Sequence, residues 1–188
     1  MVALTFDDGP SEYTPKILKV LKKEHVHATF FVVGEEVNEF PALVRQAADE
    51  GNEVEDHSWT HPHLVWHGPH FIRTELETTR DAITKATGVR PHFFRPPYGQ
   101  YHLGIMEIAH SLGLTTVLWS VTGYDWLEPG VARIVQNVTR GLAPGAIILL
   151  HDAGGNREQT VEALEQIIPL VEQREFQFVL LRDLFQNS

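Results

Sequence analysis

The sequence predicts an α/β fold, a distorted or incomplete (β/α) barrel of about seven parallel strands, on three observations. Short β-rich runs alternate with stretches of helical periodicity from one end of the chain to the other, as parallel strands joined by crossover helices do. Residues suited to chemistry follow five of these runs, and a barrel gathers many strand ends around one mouth, whereas an open doubly wound sheet concentrates its site at one switch point. The length of 188 residues is short for eight full βα units, hence the expectation of distortion.

The strand candidates, in order, are Val2–Phe6, Ala28–Val33, Glu53–Asp56, His92–Arg95, Thr115–Val121, Ala146–Leu150 and Phe176–Leu181. Several are nearly continuous apolar runs, as strands covered on both faces should be. Between the first two, Thr14-Pro15 reads as an N-cap followed by proline at the first helical position, with Ile17, Leu18 and Leu21 on one face. Pro41 opens a second helix that Gly51 closes. Later helices fall near Phe71–Thr87, Leu103–Leu112, Pro129–Leu142 and Glu158–Gln173. No repeat, linker or low-complexity stretch interrupts the pattern, so residues 1–188 read as a single domain.

Composition narrows the function. The chain carries 25 acidic against 15 basic residues, a formal charge of −10, which repels phosphate backbones and anionic lipid and argues against a nucleic-acid partner. With no cysteine, a metal has to be held by His, Asp, Glu or backbone oxygen. The N-terminus shows neither the basic and apolar regions of a signal peptide nor an apolar run long enough to span a membrane.

Five motifs end strand candidates: Thr5-Phe6-Asp7-Asp8-Gly9, His57-Ser58-Trp59-Thr60-His61, Arg95-Pro96-Pro97-Tyr98-Gly99, Thr122-Gly123-Tyr124-Asp125-Trp126 and Leu149-Leu150-His151-Asp152. His57 and His61 are four apart, so a helical turn would place both imidazoles on one face, able to share a metal. A surface or core-edge pair is the alternative in a chain with 11 histidines. Asp8 is the best oxygen ligand to add, because adjacent carboxylates before a glycine are an expensive arrangement for a plain turn. A His₂Asp set leaves open positions, as catalytic zinc sites do, and Asp7 is then free to act as a general base. Arg95, stiffened by two prolines, suits a fork-type ion pair with Asp7, or else a surface salt bridge. A backbone N–H at Tyr98 could face a developing oxyanion. His151 emerges from an apolar run at the same rim and suits a general acid, the alternative being a histidine that caps its strand. Trp126 and Leu149 could wall a small apolar pocket, or simply pack.

Taken together and in this order, the motifs resemble those of the polysaccharide deacetylase family, the NodB homology domain of chitin, chitooligosaccharide and peptidoglycan N-acetylglucosamine deacetylases; the resemblance spans Thr5 to Asp152. It implies a NodB-type distorted barrel and one divalent metal, zinc first and cobalt or nickel next, on Asp8, His57 and His61. It also implies Asp7 as base, Arg95 as its partner, the Tyr98 N–H as oxyanion donor, His151 as acid, and Trp126 with Leu149 as the pocket for the acetyl methyl. The implied activity is hydrolytic N-deacetylation of amino sugars in a glycan, with the cell envelope or exterior as its place.

The fourth motif departs from the family's Asp-x-x-Asp-Trp, since Thr122 stands at its first position. If that carboxylate tunes the acid, either Asp125 substitutes for it or His151 works with a lower pKa. Glu55-Asp56 replaces the neutral pair common before the second motif, which either tightens metal binding or is surface. Rival readings keep the site for O-acetyl esters of xylan-type glycans or for small amides, turn the two histidines and carboxylate to iron oxygenation, or reduce the chain to a glycan-binding domain.

Overall fold

The computed structural model describes residues 1–186. Its elements are β1 (Val2–Asp7), α1 (Thr14–Glu24), β2 (Thr29–Val32), α2 (Gly34–Glu39), α3 (Pro41–Asp49), β3 (Glu53–Asp56), α4 (Pro69–Thr87), β4 (Phe93–Phe94), α5 (Leu103–Ser111), β5 (Thr115–Thr116), β6 (Val121–Thr122), α6 (Val131–Arg140), β7 (Ile147–His151), α7 (Glu158–Glu172), β8 (Phe178–Val179) and α8 (Leu181–Gln186). All strand pairings are parallel, in the order β5-β4-β3-β2-β1-β7-β6, with β8 pairing the start of β1.

Strand β1 is fully buried and sits mid-sheet because its sequence is apolar on both faces. Alternation divides its side chains. Val2, Leu4 and Phe6 join the outer core with Ile17, Leu21, Leu164 and Ile167 of α1 and α7. Ala3, by contrast, joins an inner cluster with Phe31, Phe93, Val117, Leu181 and Leu184. Thr5 and Asp7 therefore share the inner face, so the barrel interior passes from an apolar floor to a polar mouth.

Three expectations need correction. The run Thr115–Val121 is two short strands: β5 pairs β4, β6 pairs β7, and between them Val117 N–H donates to Phe94 O while Ser120 N–H donates to Ile147 O. The segment spans the gap between the two sheet edges and forms the seam of the barrel. The last strand ends at Val179, because the Glu53 carboxylate accepts the N–H groups of Leu181 (2.9 Å) and Arg182 (3.3 Å) and so starts α8. Thr14 is not an N-cap: its hydroxyl donates to Asp152 Oδ2 at 2.5 Å, and Tyr13 precedes the helix. Helix α2, which has no periodic signal of its own at this length, was not foreseen.

Candidate active site

Asp7 ends the inner face of β1 and is 3% exposed. Arg95, just past β4 and fully buried, bonds both Asp7 Oδ1 and Thr5 Oγ1 through one guanidinium nitrogen, each at 2.7 Å. Its Cζ lies 4.1 Å from the centre of the Phe31 ring, a cation–π contact of a fully buried side chain. Arg95 is thus a buried partner for the Asp7 carboxylate rather than a surface ion pair.

The next residue, Asp8, adopts φ +76°, a left-handed turn that non-glycine residues seldom take without cause. Its Oδ1 lies 3.4 Å from His57 Nε2 and 3.3 Å from His61 Nε2. Burial pushes the Asp8 pKa up, but His57, His151 and His61 outweigh it and hold it near about 2. His57 closes β3, and its Nδ1 lies 2.7 Å from the Arg95 carbonyl oxygen. That oxygen only accepts, so Nδ1 carries the proton and Nε2 offers a lone pair. Burial and the neighbouring His57 lower the His61 pKa to about 4, which leaves the His61 imidazole neutral near pH 7.

His61 reaches this point by a route other than the helical turn expected. Residues 57–63 form a loop with Ser58 at φ +68° and His61 at φ +54°. Glu75 of α4 holds that loop by accepting from the N–H groups of Trp59 (2.9 Å) and Thr60 (2.8 Å), and Asp56 Oδ1 accepts from Ser58 N–H at 2.8 Å. Asp56 and Glu55 are both buried, not surface. Glu55 takes the N–H groups of His92 and Phe93 at 2.7 Å each, and burial lifts its pKa to about 8.

The three donors fit a divalent cation. Ligand atoms about 2.0–2.1 Å from a tetrahedral zinc stand about 3.3–3.4 Å apart, which is the spacing from Asp8 to each imidazole, and all three donor atoms lie within 4.8 Å of one another. Nitrogen and oxygen donors without sulfur also suit cobalt and nickel.

Beside this set, His151 ends β7 in register with Asp7 of β1. Its Nδ1 lies 2.9 Å from Asp125 Oδ1, while Asp125 Oδ2 accepts from His151 N–H and from Thr160 Oγ1, each at 2.9 Å. Burial pulls the His151 pKa down, but the hydrogen bond and charge of Asp125, with Asp7 and Asp8, outweigh it and leave it raised. Thr122 therefore does not deprive His151 of a carboxylate; its hydroxyl instead accepts from Tyr124 N–H at 3.2 Å.

These groups share one cavity of about 340 Å³, lined also by Tyr98, Trp126 and Leu149. Trp126 stands edge-on to the His151 ring at 5.2 Å. Tyr98 takes φ +59° in the tight turn after the prolines. Of the site residues named from sequence, all but Arg95 and Asp125 line this cavity, and those two bond the lining side chains of Asp7 and His151 from behind.

Three lining residues were missed: Trp119, Gly154 and Arg157. Trp119 lies in the seam, where a strand reading hid it, and a Cβ on Gly99 would stand 2.8 Å from its ring. Buried Arg157 donates to the carbonyls of Ala153 and Gly154 at 2.7 Å, Asn156 at 3.1 Å and Asp125 at 3.4 Å. Only the glycine pair before it hints at such a fold-back.

Residues 1–117 match the family described as polysaccharide deacetylase. The chain belongs to the polysaccharide deacetylase family. Among relatives of this polysaccharide deacetylase, a peptidoglycan-N-acetylglucosamine deacetylase of Bacillus cereus is 39% identical over 189 residues, covering 100% of this chain and 69% of its own. A chitooligosaccharide deacetylase of Bradyrhizobium sp. is 41% identical, covering 94% of this chain and 86% of its own. The solved structure of the Bc1960 peptidoglycan N-acetylglucosamine deacetylase, in complex with 4-naphthalen-1-yl-N-oxidanyl-benzamide, superposes with a TM-score of 0.96 at 39% identity, covering 100% of this chain and 88% of that one.

Proposed function

We propose that the chain is one catalytic domain that hydrolyses the N-acetyl group of amino sugars in a glycan such as peptidoglycan, chitin or a chitooligosaccharide. The observation that carries this reading is the placing of two proton-transfer groups on one cavity: Asp7, held by Arg95, and His151, held by Asp125, end the neighbouring strands β1 and β7 in register and share the cavity with the Asp8, His57 and His61 donors.

A divalent ion on those three donors, zinc first, would supply Lewis acidity toward the acetamide oxygen and lower the pKa of water. Asp7 takes a proton from the attacking water as its oxygen bonds to the carbonyl carbon. Arg95 bonds the same carboxylate and sets its orientation, and the Arg95 carbonyl fixes the His57 tautomer, so one residue positions both base and ligand. A Tyr98 N–H would stabilise the oxyanion. His151, its pKa raised by Asp125, gives its proton to the amide nitrogen as the C–N bond breaks, leaving acetate and a free amine. Trp126 and Leu149 offer an apolar wall to the methyl group.

The relatives are named as deacetylases of peptidoglycan N-acetylglucosamine and of chitooligosaccharide, which supports a place for this chain at the cell envelope or outside it. Among the described residues no helix is long and apolar enough to cross a membrane.

Acetate release from chitooligosaccharides and from peptidoglycan fragments tests the reading, with chelated protein before and after added zinc or cobalt. Release restored by metal is expected, and the better substrate names the glycan. Release only from acetylxylan or a small amide would move the same site to another substrate, and glycan affinity without turnover in metal-loaded protein would make it a binding domain.

A further inference from the structure

The fifth motif ends in a second side chain that the chemistry above does not use. Asp152 is 1% exposed, and alternation turns it away from the cavity that His151 enters. Its carboxylate faces the loop between β1 and α1, which carries Asp8. Thr14 Oγ1 donates to Oδ2 at 2.5 Å and itself accepts the Ser11 N–H at 2.8 Å. A Cβ on Gly9 would stand 2.2 Å from Oδ2 and 2.4 Å from Cγ and Oδ1, so the carboxylate occupies the space a side chain at residue 9 would need. The backbone adds to this: Asp152 N–H donates to Asp7 O at 3.1 Å, the Ser11 hydroxyl donates to Asp152 O, and Val33 N–H donates to Gly9 O at 2.9 Å. Within this loop Asp8 keeps φ +76°, a conformation that persists only where its surroundings over-determine it.

We propose that Asp152 is a positioning residue: its carboxylate, through Thr14 and against Gly9, clasps the loop that aims Asp8 at His57 and His61. This rests on the reading of those three residues as a metal site. The clasp also explains why a histidine and an aspartate stand together at the end of β7. The first faces the cavity as an acid, and the second faces outward and locks the ligand loop from behind.

Cobalt(II) titration followed by its visible absorption, with amide hydrogen exchange at Val33, tests the clasp in Asp152→Ala, Thr14→Val and Thr14→Ser. The expected result is a loss of cobalt affinity of about 10–100-fold in Asp152→Ala, a loss of the same sign in Thr14→Val, and near-parental affinity in Thr14→Ser, which keeps the hydroxyl. The double variant Asp152→Ala with Thr14→Val should lose no more than Asp152→Ala alone, because both break one linkage. Parental cobalt affinity in folded Asp152→Ala overturns the proposal. Should Asp152→Ala fail to fold, the Thr14 pair decides, and equal affinities for Thr14→Val and Thr14→Ser overturn it. If the parent binds no cobalt, the metal-site reading fails by itself; the clasp is then read from Val33, whose amide should exchange faster in Thr14→Val, and an unchanged rate overturns it.

Discussion

The two ends of the barrel interior are lined by the same strands and differ in nearly every other respect. At the end where the strands begin, Ala3, Phe93 and Val117 pack against Leu181 and Leu184 of α8. The buried carboxylate there, Glu53, spends its lone pairs on Thr29 Oγ1 and the first N–H groups of that helix. At the end where they finish, four residues beyond Ala3 on β1 and two beyond Phe93, just past β4, the interior carries Asp7 and Arg95, and the loops beyond hold Asp8, Ser58, His61, Tyr98, Tyr124 and Glu128 at positive φ. Each such residue costs of order 1 kcal/mol or more. The floor is thus apolar, with His25 and Glu175 at positive φ where α1 and α7 turn back toward it, and the mouth is charged and carries most of the strain, as expected when one end supplies stability and the other function.

The sharpest way to separate the ends is to damage each alone. Asp7→Asn should lower kcat/KM about 10²–10⁴-fold at equal metal occupancy, or about 3–5 kcal/mol of barrier. It should also lose some stability, since Arg95 keeps its buried charge without a counter-ion. A steady-state assay beside a metal analysis reads the first effect, and a variant as active as the parent would remove Asp7 from the mechanism.

At the floor, Leu181→Ala should do the reverse. Leu181 is fully buried, so truncation should cost about 2–5 kcal/mol of unfolding free energy while turnover per folded molecule stays within about twofold. Urea titration and activity measured in parallel check this, and a large fall in turnover at unchanged stability would break the division between the ends.

Within the mouth, Asp125→Asn separates the acid from the base. The His151 pKa is raised because Asp125 outweighs burial, so the neutral amide should lower it, and the alkaline limb of kcat against pH should move to lower pH. The linked stability has the same sign. In the parent, the ion pair stabilises fully below the unfolded histidine pKa of about 6.5 and is lost as pH rises through the raised folded value; the variant should flatten that slope. An alkaline limb that stays in place would mean that His151 is not the titrating acid.

Much of this was legible in the sequence where the signal is local. The apolar runs of β1 and β7 and the proline at the start of α3 read directly, and the candidate site residues were picked out because their motifs follow the ends of strands. What was not legible depends on contacts between distant residues. The His57–His61 pair converges through a left-handed loop fixed by Glu75, 14 or more positions away, and a spacing of four merely imitates a helix. The seam between β5 and β6 is set by which sheet edge each end meets, which hydrophobicity along 115–122 does not encode. Helix α8 exists because Glu53 receives it, and Arg157 is drawn under the mouth by carbonyls that a residue pattern does not reveal.

Thr122→Asp is the smallest effect and the closest test of how the mouth is wired. Thr122 pairs in register with Leu149 on β7, while Val121 beside it belongs to the outer core, so residue 122 faces inward beside the cavity wall. A carboxylate there would add negative charge near His151 and should move the alkaline limb upward. The movement should be smaller than the shift caused by removing Asp125, because Asp125 already accepts from the backbone N–H of His151 and bonds its Nδ1, each at 2.9 Å. Turnover near neutral pH should change by no more than about threefold, since Asp125 already raises the pKa of the acid and extra basicity weakens its proton donation. A pH profile of kcat/KM resolves the direction. A limb that moved downward, or a fall of tenfold or more, would mean that the Thr122 hydroxyl, through its bond to Tyr124 N–H, shapes the loop carrying Asp125 and Trp126 and acts by geometry rather than by charge.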